Sequence, residues 1–158
     1  MLSADTGIKL WDKLLESGVT PCGLGCRDTL RLEAGMHLYG SEMDTTTTPY
    51  EASLGWIVNS TKEYIGKTIL DNQKKNGIDK KLVALKLTKR NIARHDYPIM
   101  NEDIVIGKVT SGTWSPSLSV PIALAYVPTE LSKVGSVVNV KIRGKLEAAT
   151  VVKKPFYC

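Results

Sequence analysis

The residues with the clearest chemical potential surround a glycine-rich turn that contains Gly23 and Gly25. Two glycines at this spacing are typical of turns that hold a phosphate. The position of a third glycine is taken by Asp28, however, and no strand pattern precedes the turn. We therefore interpret this segment as a tight backbone entry into a helix.

Arg27 follows that turn at the predicted start of the helix. The first helical turn favours acidic side chains because the positive end of the helix dipole lies there. An arginine at this position therefore either pairs with a nearby acid, Asp28 or Glu33, or faces an anionic ligand. Both alternatives remain open at this stage.

The cysteines and histidines give weaker signals. Three cysteines cannot all pair with each other and nothing indicates secretion, so we expect reduced thiols. Cys22 and Cys26 are four residues apart, but no second ligand pair at regular spacing completes a zinc site. We predict two buried thiols instead. His37 and His95 lie far from any serine or cysteine motif, so a hydrolase triad has no support.

These residues must be positioned by helices in the first half of the chain. Ile8, Trp11, Leu14 and Leu15 share one face of a predicted first helix, with Ser3 or Asp5 as its cap and Gly18 just after its end. We predict a second helix over 27–39 ended by glycine 40, and a third over 65–76 ended by glycine 77. A turn of helix at 49–53 and a short strand at 55–58 are predicted between them.

After Gly77 the apolar period changes to two, which indicates β-structure. Strands are predicted at 83–87, 98–100, 104–109, 121–126, 137–142 and 145–152. Turns at 101–103 and 143–144 predict hairpins. This pattern favours a small antiparallel β-barrel, with an open sandwich as the alternative. The predicted class is α+β, with one domain over 1–77 and a barrel domain over 78–158.

Composition excludes several classes of protein. With 42% apolar and 23% charged residues in 158, the chain is neither disordered nor collagen-like. The uncharged run over 109–129 contains three prolines, so we do not predict a membrane span. Net charge is −2 over 1–77 and +7 over 78–158. The basic half indicates a solvated face, or a surface that faces an acidic partner, a charged ligand or nucleic acid.

The segment GLGCRDTLRLEAGMHLYG at 23–40 resembles the signature of aminomethyltransferase, the T-protein of the glycine cleavage system. The similarity continues in the same order along nearly the whole chain, through EMD at 42–44, TTP at 47–49, LGW at 54–56, IGKVTSG at 106–112, SPSL at 115–118, AYVP at 125–128 and PF at 155–156.

The resemblance implies a place within a longer architecture. The family has three domains around a folate channel, and this sequence is similar only to its C-terminal half. The resemblance implies the end of a helix-flanked antiparallel sheet domain, followed by a jelly-roll-like barrel. The family's catalytic aspartate would then lie upstream, so we expect no catalytic residue in this chain and no activity from it alone.

The resemblance also implies a ligand and a partner. The family transfers a one-carbon unit from the aminomethyl-lipoyl arm of H-protein to tetrahydrofolate, which gives methylene-tetrahydrofolate and ammonia. Arg27 matches an arginine that contacts folate, and Met36 matches a position that lines the pocket in some members. No metal, nucleic acid or membrane is implied. The implied location is the cytoplasm, or the mitochondrion in a eukaryote.

Two relatives of this architecture are the alternatives. The folate domains of dimethylglycine and sarcosine dehydrogenases carry a similar arginine-rich run. Non-enzymatic folate-fold modules act in tRNA modification or iron–sulfur maturation, but their cysteine-bearing signature is not seen here. The run AGMHLYG at 34–40 followed by Met43 and Asp44 is more similar to T-protein.

Overall fold

The computed structural model describes residues 1–157 and contains three α-helices followed by six β-strands. The helices are α1 (Ala4–Glu16), α2 (Leu24–Glu33) and α3 (Lys67–Asn76). The strands are β1 (Lys80–Leu87), β2 (Pro98–Asn101), β3 (Ile104–Ser115), β4 (Val120–Pro128), β5 (Val137–Ile142) and β6 (Lys145–Val152). Short 3₁₀ turns occupy Gly55–Ile57 and Thr129–Leu131.

The six strands close into an antiparallel barrel in the order β1–β4–β3–β2–β5–β6. Its interior is filled by aliphatic side chains, among them Leu85, Ile99, Val109, Val140 and Val151. Closure removes the exposed strand edges that an open sandwich would leave. The α+β class and the small barrel are therefore confirmed, and the open sandwich is not formed.

Strand β4 is buried on both faces, since every residue from Pro121 to Val127 is buried. One face lines the barrel interior. The other, with Ile122, Leu124 and Tyr126, packs with Leu32 of α2 in a second apolar cluster. This double burial explains why the central part of the uncharged run lacks the alternation of a half-exposed strand. No helix of residues 1–157 is both long and apolar enough to cross a bilayer.

The predicted hairpins are formed. Arg143 and Gly144 connect β5 to β6 with φ angles of 49° and 81°, the left-handed pair that a two-residue type I′ turn requires. Glu102, with φ 52°, connects β2 to β3. Strands β3 and β4 extend further than their predicted ranges, and the added part of β3 includes Ser111 and Ser115, which bond side chains of α2.

Helix α1 agrees with its prediction. Ser3 is the N-cap and its hydroxyl accepts a hydrogen bond from the Thr6 amide at 3.3 Å. Gly18, with φ 81°, follows the C-terminus in the left-handed conformation. No residue of α1 is buried, and its apolar face is exposed, with Ile8 at 62% and Trp11 at 54%.

The second helix was predicted too long. It ends at Glu33 rather than at residue 39, and residues 1–77 contain no strand beyond a single bridge between Tyr39 and Met43. Gly35, with φ 68°, donates its amide to Leu32, and Met36 donates its amide to the Arg31 carbonyl at 2.8 Å. This pair of bonds is the Schellman motif, which uses the remaining carbonyls and ends the helix.

Two shorter predictions were also wrong. Residues 55–57 form a 3₁₀ turn rather than a strand, because the Ile57 and Val58 amides bond back to Leu54 and Gly55 instead of to a neighbouring strand. Residues 49–53 form turns rather than a helix, with a left-handed Ser53 at φ 59° that interrupts helical bonding. The third helix is confirmed, although it begins at Lys67, after Gly66 at φ 88°.

Candidate functional site

The first turn of α2 presents Arg27 to solvent. Gly23 is the N-cap, and its carbonyl accepts the amides of Cys26 at 3.1 Å and Arg27 at 3.4 Å. No side chain caps this end of the helix, and no acidic residue lies in its first turn. The positive end of the helix dipole and the guanidinium of Arg27 therefore add to each other, which favours an anion or a polarised carbonyl here.

The two acids that the sequence offered to Arg27 are occupied elsewhere. Asp28 pairs with Arg31, whose Nη2 lies 2.6 Å from Oδ1. Glu33 accepts hydrogen bonds from the hydroxyls of Ser115 and Ser117. Within residues 1–157, Arg27 forms no ion pair and no side-chain hydrogen bond. Of the two alternatives drawn from the sequence, the local salt bridge is not formed.

Arg27 lines a cleft of about 500 Å³ on the open side of α2. Met36 lines the same cleft, although it lies beyond the end of α2 rather than within the helix predicted over 27–39, and it is 62% exposed. The other lining residues are mostly small or apolar: Cys22, Gly23, Cys26, Leu30, Arg31 and Ala34. The structure thus brings the two predicted site residues together.

Arg31 forms the most strongly bonded part of the cleft wall, and the sequence analysis missed it. Its side chain is 11% exposed, and Nη1 lies 2.7 Å from Oε2 of the fully buried Glu42. Nη2 donates to Ser111 of β3 at 2.7 Å, and Nη1 also donates to the Met36 carbonyl at 3.2 Å. This network joins α2, the following loop and the barrel. The i,i+3 spacing of Asp28 and Arg31 was its only signal in the sequence.

Glu33 fixes the other end of α2 to the barrel. It is buried, and burial alone would raise its pKa, but the bonds from Ser115 and Ser117 outweigh that cost and lower the pKa below its ordinary value of 4.5. Its backbone carbonyl also accepts the amides of Phe156 at 2.9 Å and Tyr157 at 3.2 Å. The orientation of α2, and with it that of Arg27, is thereby held by the barrel and the C-terminal segment.

A second cleft of about 320 Å³ lies on the other side of Arg31. Asp28 and Arg31 line it together with Arg94, His95 and Ser111. Arg94 is exposed and forms no ion pair within the described residues. Nothing in the sequence distinguishes Arg94, because a lone arginine in a turn has no characteristic spacing.

The cysteine prediction was wrong in one respect. Cys22 and Cys26 are exposed free thiols rather than buried ones, because the turn that carries them lies outside the packed core. His37 is half-buried, and its Nε2 lies 2.8 Å from the Ala52 carbonyl. Burial is the main reason that the pKa of His37 is lowered. Within residues 1–157, no group of three His, Cys, Asp or Glu side chains is arranged to hold a metal.

The structure thus combines a closed barrel with a helix whose exposed Arg27 lines a mostly apolar cleft. Two family models match the chain: the "Glycine cleavage T-protein C-terminal barrel domain" at residues 80–157 and the "GCVT N-terminal domain" at residues 1–62. The chain belongs to the glycine cleavage T-protein family, and the resemblance seen in its motifs is confirmed.

Individual relatives agree with the family models. The chain is 57% identical to an aminomethyltransferase of Synechococcus sp. (strain CC9311) over 159 aligned positions, which cover 99% of this chain and 43% of that protein. It is 55% identical to the aminomethyltransferase of Synechocystis sp., again covering 43% of it. These names favour T-protein over the dehydrogenase and non-enzymatic alternatives.

A solved structure shares the fold. The crystal structure of glycine cleavage system aminomethyltransferase T from Bartonella henselae superposes with a TM-score of 0.90 at 34% identity, covering 98% of this chain and 45% of that one. The chain therefore spans less than half the length of each relative described here.

Proposed function

We propose that this chain forms the folate-holding C-terminal part of a tetrahydrofolate-dependent aminomethyltransferase of the glycine cleavage system. The proposed reaction moves the one-carbon unit from aminomethyl-lipoyl H-protein to tetrahydrofolate and yields methylene-tetrahydrofolate and ammonia. The observation that carries the proposal is Arg27, which has no acidic partner within residues 1–157 and lines a cleft that also contains Met36.

The residues present fit a folate. A guanidinium is a planar fork that donates paired hydrogen bonds to a carbonyl or a carboxylate, and folates carry both. Leu30, Ala34 and Met36 offer apolar surface to a flat ring, and the buried Arg31 network keeps this wall in place. Tetrahydrofolate, when bound, supplies the nitrogen that accepts the one-carbon unit. In this proposal Arg27 binds and orients it, and orientation is a large part of the rate.

We propose that catalysis needs the remaining part of the family architecture. The relatives are more than twice as long as this chain. We expect the family's catalytic aspartate in the part of the relatives that has no counterpart here. We therefore assign no catalytic residue to this chain and expect it to be inactive alone. H-protein, through its lipoyl arm, is the proposed macromolecular partner.

The division of the chain into residues 1–77 and 78–158 remains a proposal, since α2 shares its apolar cluster with the outer barrel face. The proposed location follows the family: the cytoplasm of a bacterium, or the mitochondrion of a eukaryote.

A chimera tests the function directly. The segment of the Synechococcus aminomethyltransferase that matches this chain is replaced by residues 1–158, and methylene-tetrahydrofolate formation is measured with loaded H-protein. We expect activity within about tenfold of the parent, because the two segments are 57% identical. The isolated chain should be inactive. A folded chimera without activity would contradict the proposal, and activity of the isolated chain would contradict the need for the rest of the architecture.

A further inference from the structure

We propose that Cys22 and Cys26 form a reversible dithiol–disulfide pair, and that the disulfide weakens ligand binding in the cleft that contains Arg27. The second half of this inference rests on the proposed function. The first half, that these two thiols form an internal disulfide, stands on the geometry of the chain alone.

The two cysteines occupy matched positions at the start of α2. Gly23 is the N-cap, so Cys22 is the residue before the cap and Cys26 is the third helical residue. The two side chains thus lie on either side of the N-cap, four residues apart at the start of the helix. Both thiols are exposed and both line the same 500 Å³ cleft. An oxidant in solution therefore reaches both sulfurs.

The backbone between the two cysteines can adjust to form a bridge. Gly23 and Gly25 lie in this segment, and a Cβ placed on either would meet no atom within 4 Å. Nothing packs closely against the turn at these two glycines, so the backbone there can shift without a clash. Disulfide geometry is demanding, and a glycine-containing turn meets it at lower cost than a packed helix.

The two thiols also interact with each other. The pKa of the Cys26 thiol is raised, first by its hydrogen bond with Cys22, then by the charge of Cys22, and then by burial. The two sulfurs therefore lie close to each other. A nucleophilic thiolate beside a resolving thiol is the arrangement that disulfide exchange requires.

The exchange balances with a low-molecular-weight disulfide as the oxidant, such as oxidised glutathione. The Cys22 thiolate attacks one glutathione sulfur, the glutathione S–S bond breaks, and the first glutathione leaves as a thiolate that takes a proton. Cys26 then loses its proton and attacks the Cys22 sulfur, which releases the second glutathione. The two cysteines lose two electrons and two protons, and the oxidised glutathione gains both.

The disulfide affects the cleft because Cys26 directly precedes Arg27 in the sequence. A bridge from Cys26 to Cys22 fixes the turn from which the guanidinium of Arg27 extends. It also replaces two small side chains of the cleft lining with one rigid link. Couplings between neighbouring sites are typically about 5- to 150-fold, and we expect the disulfide to weaken folate binding by at least about fivefold.

Disulfide formation is tested in a Cys158→Ser background, so that only the two cysteines of the pair remain. The protein is equilibrated with mixtures of oxidised and reduced glutathione, free thiols are trapped, and the products are weighed by mass spectrometry. We expect an internal disulfide that dithiothreitol reverses. Cys22→Ser and Cys26→Ser are matched controls that should stop at the glutathione adduct. Adducts alone, or free thiols under excess oxidised glutathione, would overturn the pair.

The ligand effect is tested in the chimera described above, provided that oxidation of that protein is first confirmed at Cys22 and Cys26 by peptide mapping. Tetrahydrofolate is titrated under nitrogen into the reduced and oxidised forms. Weaker binding by the oxidised form supports the inference. Equal binding by both forms refutes the coupling and leaves the proposed function intact, whereas no binding by the reduced form refutes the proposed function and leaves the redox result standing.

Discussion

Replacement of Arg31 by methionine should be among the most destabilising single changes in this chain. Arg31 is buried to 11% exposure, and it bonds Asp28, Glu42, Ser111 and the carbonyl that follows α2. Methionine keeps much of the aliphatic volume but removes the charge and all of these donors. The change therefore isolates the polar role of the residue from its packing.

The expected loss of stability follows from the groups that lose Arg31 as their partner. Glu42 has no exposed side-chain surface, and its Oε1 already lacks a hydrogen-bond partner within the described residues. Without Arg31, its carboxylate keeps only the Leu38 amide at 2.8 Å. Breaking a buried ion pair in this way costs about 3–5 kcal/mol. The Asp28 carboxylate is 45% exposed, so water compensates most of its loss and it adds under about 1 kcal/mol.

Urea unfolding of the 158-residue chain measures the free energy directly. Lys67→Met is the matched control, because Lys67 also forms a charged pair on a helix, with Glu63 at 2.5 Å, but the Glu63 side chain is 87% exposed. That control should cost under about 1 kcal/mol. Adding Glu42→Gln to Arg31→Met should recover part of the loss, since it removes the uncompensated charge.

Equal unfolding free energies for the two single variants would refute the reasoning, because they would show that burial of the Glu42 carboxylate carries no special cost. A further loss on adding Glu42→Gln would contradict it as well. In that case the carboxylate would be held by partners other than Arg31.

Three further predictions rest on single features. Arg27→Ala in the chimera should weaken tetrahydrofolate binding about ten- to a hundredfold. The same change should alter the unfolding free energy of the 158-residue chain by under about 1 kcal/mol, because Arg27 has no side-chain partner within residues 1–157. Calorimetric titration and urea unfolding measure the two effects, and an unchanged dissociation constant would remove Arg27 from the site. Gly112→Ala should lower the unfolding free energy by about 1–3 kcal/mol or more, since a Cβ there would lie 2.0 Å from the Ala93 carbonyl oxygen. Gly25→Ala is the control and should stabilise the protein, because a Cβ at this helical position meets no atom within 4 Å. Similar melting temperatures for the two variants would contradict this prediction. The lowered pKa of Glu33 implies a contribution to stability that is fully present above pH 4.5 and is lost as the pH falls through the folded-state pKa. Glu33→Gln should therefore lower the unfolding free energy at neutral pH and reduce its decrease at acidic pH, as measured by urea unfolding over a range of pH. An unchanged decrease at acidic pH would assign it to other carboxylates.

The fold was predictable wherever local sequence determines the structure. The capped ends of α1, at Ser3 and Gly18, and the turn at Arg143 and Gly144 are set by short-range bonding and backbone preferences, and each was expected. The alternation of apolar residues was sufficient to indicate a barrel. These features depend on a few neighbouring residues, so the sequence contains all the information that they require.

The predicted end of the second helix was wrong because apolar periodicity was given more weight than a backbone preference. Leu38 continues the apolar face of the helix, so the helix was extended to residue 39, but Gly35 ends it through the Schellman bonds. A larger residue is also disfavoured at this position, because a Cβ at Gly35 would lie 3.2 Å from the Cβ of Lys154. Apolar periodicity contains no information on either feature.

The candidate site depends on contacts between residues that are far apart in sequence. The sequence placed Arg27 on the first turn of a helix and offered it two acids, and nothing in the local spacing could decide between a salt bridge and a ligand. The decision depends on partners that are about 80 residues away: Ser115 and Ser117 engage Glu33, while Ser111 helps to hold Arg31 against Asp28. Because Ser115 and Ser117 engage Glu33, and Arg31 engages Asp28, Arg27 is left free of partners within residues 1–157. In the proposed function, the barrel therefore supports the site indirectly, by holding the charges that would otherwise neutralise Arg27.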